Sequence, residues 1–196
     1  MTGLNALILA GGDSRRMGRD KASIAHDGVT QLERTAQLAQ TISDEVFVSV
    51  RRLADADAQR RAFPLIEDDA RAAGPLAGIL AALTFMPERD WLILACDLPR
   101  LDAATLSALQ VAAKEDADSP AIAMASEQDR VLPEPLCAVW RVAMLPTILS
   151  QSAAGRFCPR KCLLVAEARN LTPVTAGALD NMNTPEDLAR IVAGSG

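Results

Sequence analysis

Residues 7–22 read LILAGGDSRRMGRDKA, an apolar run that ends in two glycines and a dense set of cations. Gly11 and Gly12 carry no Cβ, so the chain can turn sharply off a strand and bring backbone N–H groups close to a phosphate. Arg16 offers a flat, multidentate donor, and Lys21 a mobile point charge suited to a phosphoryl oxygen whose charge changes during a reaction. These residue types in this order point to phosphate binding at a strand end. The two familiar phosphate loops do not fit. The stretch contains no G-x-G-x-x-G, and G-x-x-x-x-G-K-[ST] fails because Lys21 stands three residues after Gly18. A solvated basic turn is the plain alternative.

Two acids stand in comparable positions. Asp97, in LILACDLP, directly follows an apolar run. A carboxylate there suits Mg2+, which in phosphoryl-transfer sites takes one or two carboxylates and completes its shell with substrate oxygens. The same acid before Pro99 also reads as a turn or helix cap. Asp68, in IEDDARAAGPLAG, follows a shorter run, and Gly74 and Gly78 frame a helix start behind it. Gly-Pro is common loop punctuation, so a solvated Asp68 is the plainer reading there.

The elements that must position these residues alternate. LNALILA (4–10), DEVFVSV (44–50) and WLILAC (91–96) read as strands covered on both faces, with weaker candidates at 64–67, 120–125, 135–140 and 171–176. Helical patterns lie between them. Residues 31–42 place Leu32, Ala36 and Leu38 or Ala39 near one face, 75–86 opens on Pro75, and Asp102 is placed to cap a helix over 103–114. Such alternation predicts a three-layer α/β/α sandwich of Rossmann-like type with a mostly parallel sheet, whose ligands sit beyond the carboxyl ends of the strands. The segments after Ala10, Glu67 and Cys96 should then converge on one edge. Residues 126–135 read as an exposed excursion, and the 196 residues as a single domain.

Composition narrows the partners. Net charge is −5, aromatics are 3% and Tyr is absent, which argues against nucleic acid and anionic membranes and leaves any anionic ligand to local cations. No apolar run approaches the ~20 residues of a membrane span. The N-terminal run is short and lacks a basic leader, so the expected compartment is the cytoplasm, with Cys96, Cys137, Cys158 and Cys162 reduced. Cys158 and Cys162 are spaced C-x3-C and His26 is the only histidine, which favours buried free thiols over a zinc site. His26, beside a turn at Asp27-Gly28, reads as a surface residue.

LAGGDSRRMGRDK resembles the L-A-G-G-x-S-x-R-M-G-x-D-K signature of the nucleotidyltransferase family that includes the molybdenum cofactor guanylyltransferases, and GPLAG, CDLP and NMNTPEDL extend the resemblance along nearly the whole chain. The first motif is highly specific; the others alone would be weak. The resemblance implies transfer of GMP from GTP to the phosphate of molybdopterin cofactor, with Mg2+ and release of pyrophosphate. It places Leu9, Ala10, Gly11 and Gly12 against the nucleotide, Lys21 on its phosphates, Asp68 as a nucleotide-binding acid, Asp97 as the magnesium ligand, and Asn181 and Asn183 toward the pterin. Arg16, Lys21 and Asp97 would carry the chemistry. Transient contacts with cofactor-delivery proteins or molybdoenzymes would follow.

Two departures stand out. Ser49 occupies a strand end where the family often has an asparagine, and its shorter reach puts that nucleotide contact in question. Arg156, Arg160 and Lys161 either grip the pterin phosphate or form an ordinary basic helix start. Thr184, Pro185 and Asp187 also read as a helix cap, compatible with Asn181 and Asn183 facing a ligand. A cytidylyltransferase for the same cofactor, another small-phosphate nucleotidyltransferase, or a non-catalytic nucleotide-binding assembly protein are the alternatives. Lys21 and Asp97 together favour an enzyme.

Overall fold

The structure, a computed structural model, describes residues 3–10, 20–26, 28–126, 129 and 132–180, apart from the side chains of Lys21 and His26. Strand β1 (Leu4–Leu9) is followed by a small hairpin, β2 (Ala25–His26) and β3 (Val29–Thr30), and then by α1 (Gln31–Gln40) and β4 (Val46–Val50). Next come β5 (Leu65–Glu67), α2 (Pro75–Phe85), β6 (Asp90–Ala95), α3 (Ala103–Glu115), β7 (Ala121–Ala125) and β8 (Pro133–Trp140). Helices α4 (Leu145–Ala153) and α5 (Pro159–Val165) and strand β9 (Arg169–Leu171) complete the described fold.

Seven strands form one sheet in the order β5-β4-β1-β6-β8-β7-β9. Pairing is parallel from β5 to β6 and between β7 and β9, while β8 runs antiparallel to both of its neighbours. The near-continuous apolar character of β1, β4 and β6 has its cause here, because both faces of the sheet are covered. On one face Ala6, Ile8 and Val48 pack with Leu32 and Ala36 of α1 and Leu106 and Leu109 of α3. On the other, Leu7 and Phe47 pack with Leu76, Ile79, Leu80 and Leu83 of α2, Ile148 of α4 and Cys162 of α5. The expected three-layer sandwich is the one observed.

Local signals set the helix starts. Thr30 Oγ1 accepts from the Glu33 N–H while the Glu33 carboxylate accepts from the Thr30 N–H, a capping box that opens α1. Asp102 accepts from the Thr105 N–H and opens α3 as expected. Gly74, at φ 60°, turns the chain into α2 with Pro75 at its start. Helix α2 is apolar nearly all round because it lies between the sheet and α4. In α1 the core-facing set is Leu32, Thr35, Ala36 and Ala39, with Leu38 half-buried beside it.

Three expectations are corrected, and one open choice is narrowed. The excursion at 126–135 ends early, because Pro133 already opens β8 opposite Ala125, a strand-start position where its missing N–H is tolerated. The strand expected at 171–176 instead covers Arg169–Leu171, ahead of Pro173. The basic stretch at 155–164, left open between a phosphate grip and a helix start, contains the start of α5, which covers the sheet beside α4. Cys158 is exposed at that helix start rather than buried, whereas Cys96, Cys137 and Cys162 are buried. Among the described residues, no helix is long and apolar enough to cross a membrane.

Candidate active site at the carboxyl edge of the sheet

Hydrogen-bond register brings four strand ends into one row. Ile66 of β5 lies opposite Ser49 of β4, Ser49 opposite Leu9 of β1, and Leu9 opposite Ala95 of β6. Asp68 leaves the row from β5, Ala10 from β1 and Asp97 from β6, so the three segments expected to converge do so. The connections from β1 run to β4 on one side, whereas β6 lies on the other. The gap between β1 and β6 is therefore a topological switch point, where open α/β sheets hold their ligands.

Leu9 and Ala10 have buried side chains, so the edge receives only their backbone. Gly11, Gly12, Arg16, Asn181 and Asn183 lie outside the described residues, as do the side chain of Lys21 and the cap at 184–187. Lys21 itself opens a 3-10 turn over Lys21–Ser23.

Ser49 has a task that the sequence does not reveal. It is 3% exposed, and its hydroxyl donates to Asp68 Oδ1 at 2.5 Å. The serine thus orients the acid rather than reaching toward a ligand. The Asp68 N–H donates to the Val50 carbonyl and the Asp69 N–H to the Ala77 carbonyl, which holds the segment against β4 and α2. Burial pushes the Asp68 carboxyl above its ordinary range; the Ser49 hydrogen bond and the Arg51 cation pull it back in part, and Glu67 opposes them.

Gly78 makes this packing possible. A Cβ there would stand 2.6 Å from Ser49 Oγ and 2.7 Å from Leu9 Cδ2, so α2 approaches the strand ends at a distance only glycine permits. The GPLAG motif therefore supplies two glycines with different reasons, backbone conformation at Gly74 and contact at Gly78.

Asp97 follows β6 and is half-buried, while the next residue, Leu98, anchors the segment in the core. Its hard oxygen donors suit Mg2+ chemically. Among the described residues no group of three or more His, Cys, Asp or Glu could hold a metal unaided.

Arg160 donates to the Pro133 carbonyl at 2.9 Å and pairs with Glu134 at 3.1 Å, tying α5 to β8. This supports the helix-start reading for Arg160, while Arg156 and Lys161 are exposed. A cavity of about 610 Å³ lies at the opposite end of the sheet, lined by Gly3, Asp44, Asp90, Gln110 and Arg141 among others. Within it Arg141 pairs with Asp90 and donates to the carbonyls of Ala113, Asp116 and Ser119, and Asp44 pairs with Arg89. That cavity stands at the amino ends of the parallel strands, away from the switch point.

Residues 6–167 match the MobA-like NTP transferase domain. The chain is 36% identical over 186 residues to the molybdenum cofactor guanylyltransferase of Pseudomonas syringae, covering 91% of this chain and 88% of that one. It is 32% identical over 190 residues to the molybdenum cofactor biosynthesis bifunctional protein of Synechocystis, covering 97% of this chain but spanning only 54% of that protein's length. Among solved structures, molybdopterin-guanine dinucleotide biosynthesis protein A of Archaeoglobus fulgidus superposes with a TM-score of 0.77 at 21% identity, covering 98% of this chain and 100% of that chain, a likeness of fold.

Two outcomes follow from the packing. Gly78→Ala should destabilise the chain by about 1–3 kcal/mol through overpacking, and Tm should fall by about 2–4 °C for each kcal/mol. An unchanged Tm would show that α2 does not press on Ser49 and Leu9. Asp68→Asn should raise Tm at neutral pH. An acid whose carboxyl is held above its ordinary range in the fold contributes stability only while protonated, so its charge is a cost at pH 7. The gain should fade as pH falls below the ordinary carboxylate range; thermal melts of both proteins across pH check it.

Proposed function

The chain belongs to the MobA-like NTP transferase family, and on that premise we propose that it transfers GMP from GTP to the phosphate of molybdopterin cofactor in the cytoplasm, releasing pyrophosphate. The observation that carries this reading is the common row of strand ends, from which Asp68, Ala10 and Asp97 leave at one edge. The relatives named above support the donor and acceptor.

The reaction is an in-line displacement. An oxygen of the acceptor phosphate forms a bond to the α-phosphorus of GTP, and the bond from that phosphorus to the α–β bridging oxygen breaks, with its electron pair leaving on pyrophosphate. A phosphate monoester is already largely ionised near neutral pH, so no protein nucleophile is needed. Catalysis reduces to positioning and to neutralising charge. Gly11 and Gly12 present backbone N–H groups to the triphosphate, Lys21 stabilises the α-phosphate, and Arg16 stabilises the departing pyrophosphate. Asp68 holds the nucleotide, with its carboxylate oriented by Ser49. Asp97 would hold Mg2+, which when bound would offset negative charge on the phosphates. By the family resemblance, Asn181 and Asn183 would contact the pterin. The product then passes on through transient contacts with delivery proteins or molybdoenzymes.

If the loop after Ala10 passes beside the base, as the family resemblance implies, glycine at position 11 would leave room and open backbone there, whereas an alanine methyl would fill that space. Guanine's edge donors and acceptors can then be matched, and a wrong base leaves groups unpaired at about 1–3 kcal/mol each. With equal GTP and CTP, magnesium and molybdopterin cofactor, the dinucleotide formed should be the guanine one. A predominantly cytosine product would defeat the guanylyl reading and leave nucleotidyl transfer intact.

Asp97→Asn should abolish magnesium-dependent turnover while Tm stays near that of the parent chain, because the amide keeps the shape and loses the charge. Parental kcat at saturating magnesium would remove Asp97 from the metal site. Lys21→Ala should lower kcat by about 10²–10³ if its contact strengthens in the transition state; a rise in KM alone would make it a ground-state anchor.

A further inference from the structure

No motif points to the connection between β4 and β5, yet a short 3-10 turn there, Arg60–Ala62, reaches across to both described ends of the glycine-rich stretch. Arg60 Nη2 donates to the Ala10 carbonyl at 2.6 Å and pairs with Asp20 Oδ2 at 2.7 Å, and its other terminal nitrogen pairs with Asp57. The side chain is only 12% exposed. Its neighbour Gln59 donates to the Ala22 carbonyl at 3.1 Å and to Thr30 Oγ1 at 2.5 Å. Ala10 is the last residue before the stretch, and Asp20 and Ala22 flank Lys21 where the chain returns.

Asp20 passes this hold on to the turn. Its Oδ1 accepts from the Ala22 N–H at 3.1 Å, and its carbonyl accepts from the Ser23 N–H and hydroxyl. One guanidinium therefore fixes the exit of β1 relative to the turn that carries Lys21. Asp57 is itself fixed, accepting from the Arg60 N–H at 2.8 Å.

We infer that Arg60 is a positioning residue of the nucleotide site, a clamp that holds the two ends of residues 11–19 in register before nucleotide binds; this rests on the reading of residues 7–22 as the phosphate-binding element. The guanidinium faces two carboxylates, Asp20 and Asp57, so its charge is already matched and its role is geometric rather than that of a phosphate ligand. A planar fork delivers N–H groups along fixed directions to a carbonyl and two carboxylates at once, which an ammonium cannot reproduce. Fixing the ends in advance removes part of the ordering cost that GTP would otherwise meet on binding.

The test compares the parent chain with Arg60→Met and Arg60→Lys, in steady-state turnover and in hydrogen–deuterium exchange without nucleotide. Arg60→Met should lower kcat/KM for GTP by about tenfold to a hundredfold, mostly through KM. KM for the phosphate acceptor should hold, and Arg60→Lys should recover only part of the loss. Exchange should rise in peptides covering residues 20–24 while β4 and β6 keep parental protection. Should Arg60→Met fail to fold, Asp20→Asn cuts the same ion pair from the other side and should reproduce both effects.

Parental kcat/KM in the variants, or exchange rising equally through β4 and β6, would overturn the clamp. If the parent chain does not turn over GTP at all, the proposed function falls. The exchange arm then decides the clamp alone, unchanged protection at 20–24 refuting it.

Discussion

The parallel pairing of β1 with β4 on one side and β6 on the other is the constraint from which the candidate site follows. Register in a buried sheet is strongly specified, because a one-residue slip would turn every core side chain to the wrong face. Leu7 packs on one face and Ile8 on the other, each against its own set of helices. With that register set, Ser49, Leu9 and Ala95 must fall in one row. The acids that follow β5 and β6 have no separate search to make for each other. Two layers of apolar packing thus position the charged groups that follow the strands.

At that row, burial and function pull in opposite directions. Asp68 is held partly away from water, which disfavours its charge, and the buried Ser49 hydroxyl compensates only in part. A carboxylate that is costly in the free chain is one that a ligand donor can repay, and strain of this kind is tolerated at sites because the surrounding packing over-determines them. Gly78 belongs to the same balance: it gives up helix propensity of about 1 kcal/mol relative to alanine so that α2 can press the Ser49–Asp68 pair into place. The proposed Arg60 clamp would add a third device of the same type, a half-buried polar contact whose benefit lies in geometry.

Much of this was legible in the sequence because it rests on local signals. Apolar runs bounded by turn residues located the strands, and Pro75 and Asp102 marked helix starts through chemistry within one turn. The convergence of Asp68, Ala10 and Asp97 followed from strand alternation alone. What remained hidden depends on contacts between residues far apart in the chain. Ser49 and Asp68 are 19 positions apart, and Arg60 and Ala10 are 50 apart. Ser49 read as a shortened ligand contact because nothing local shows which way a buried hydroxyl points. The antiparallel return of β8 escaped for a related reason, since Pro133 and Pro135 look like loop punctuation until the pairing with β7 is known.

The central claim is that one nucleotide triphosphate lies across the row of strand ends, between the segments leaving β1, β5 and β6. Its most direct test is a crystal structure of the chain with a non-hydrolysable GTP analogue and Mn2+, with the ion located by anomalous scattering. The account predicts an anomalous peak within coordinating distance of the Asp97 carboxylate, the triphosphate beyond Ala10, and the nucleoside within reach of Asp68. A nucleotide seated elsewhere, for instance in the cavity beside Arg141, or a manganese peak remote from Asp97, would contradict it.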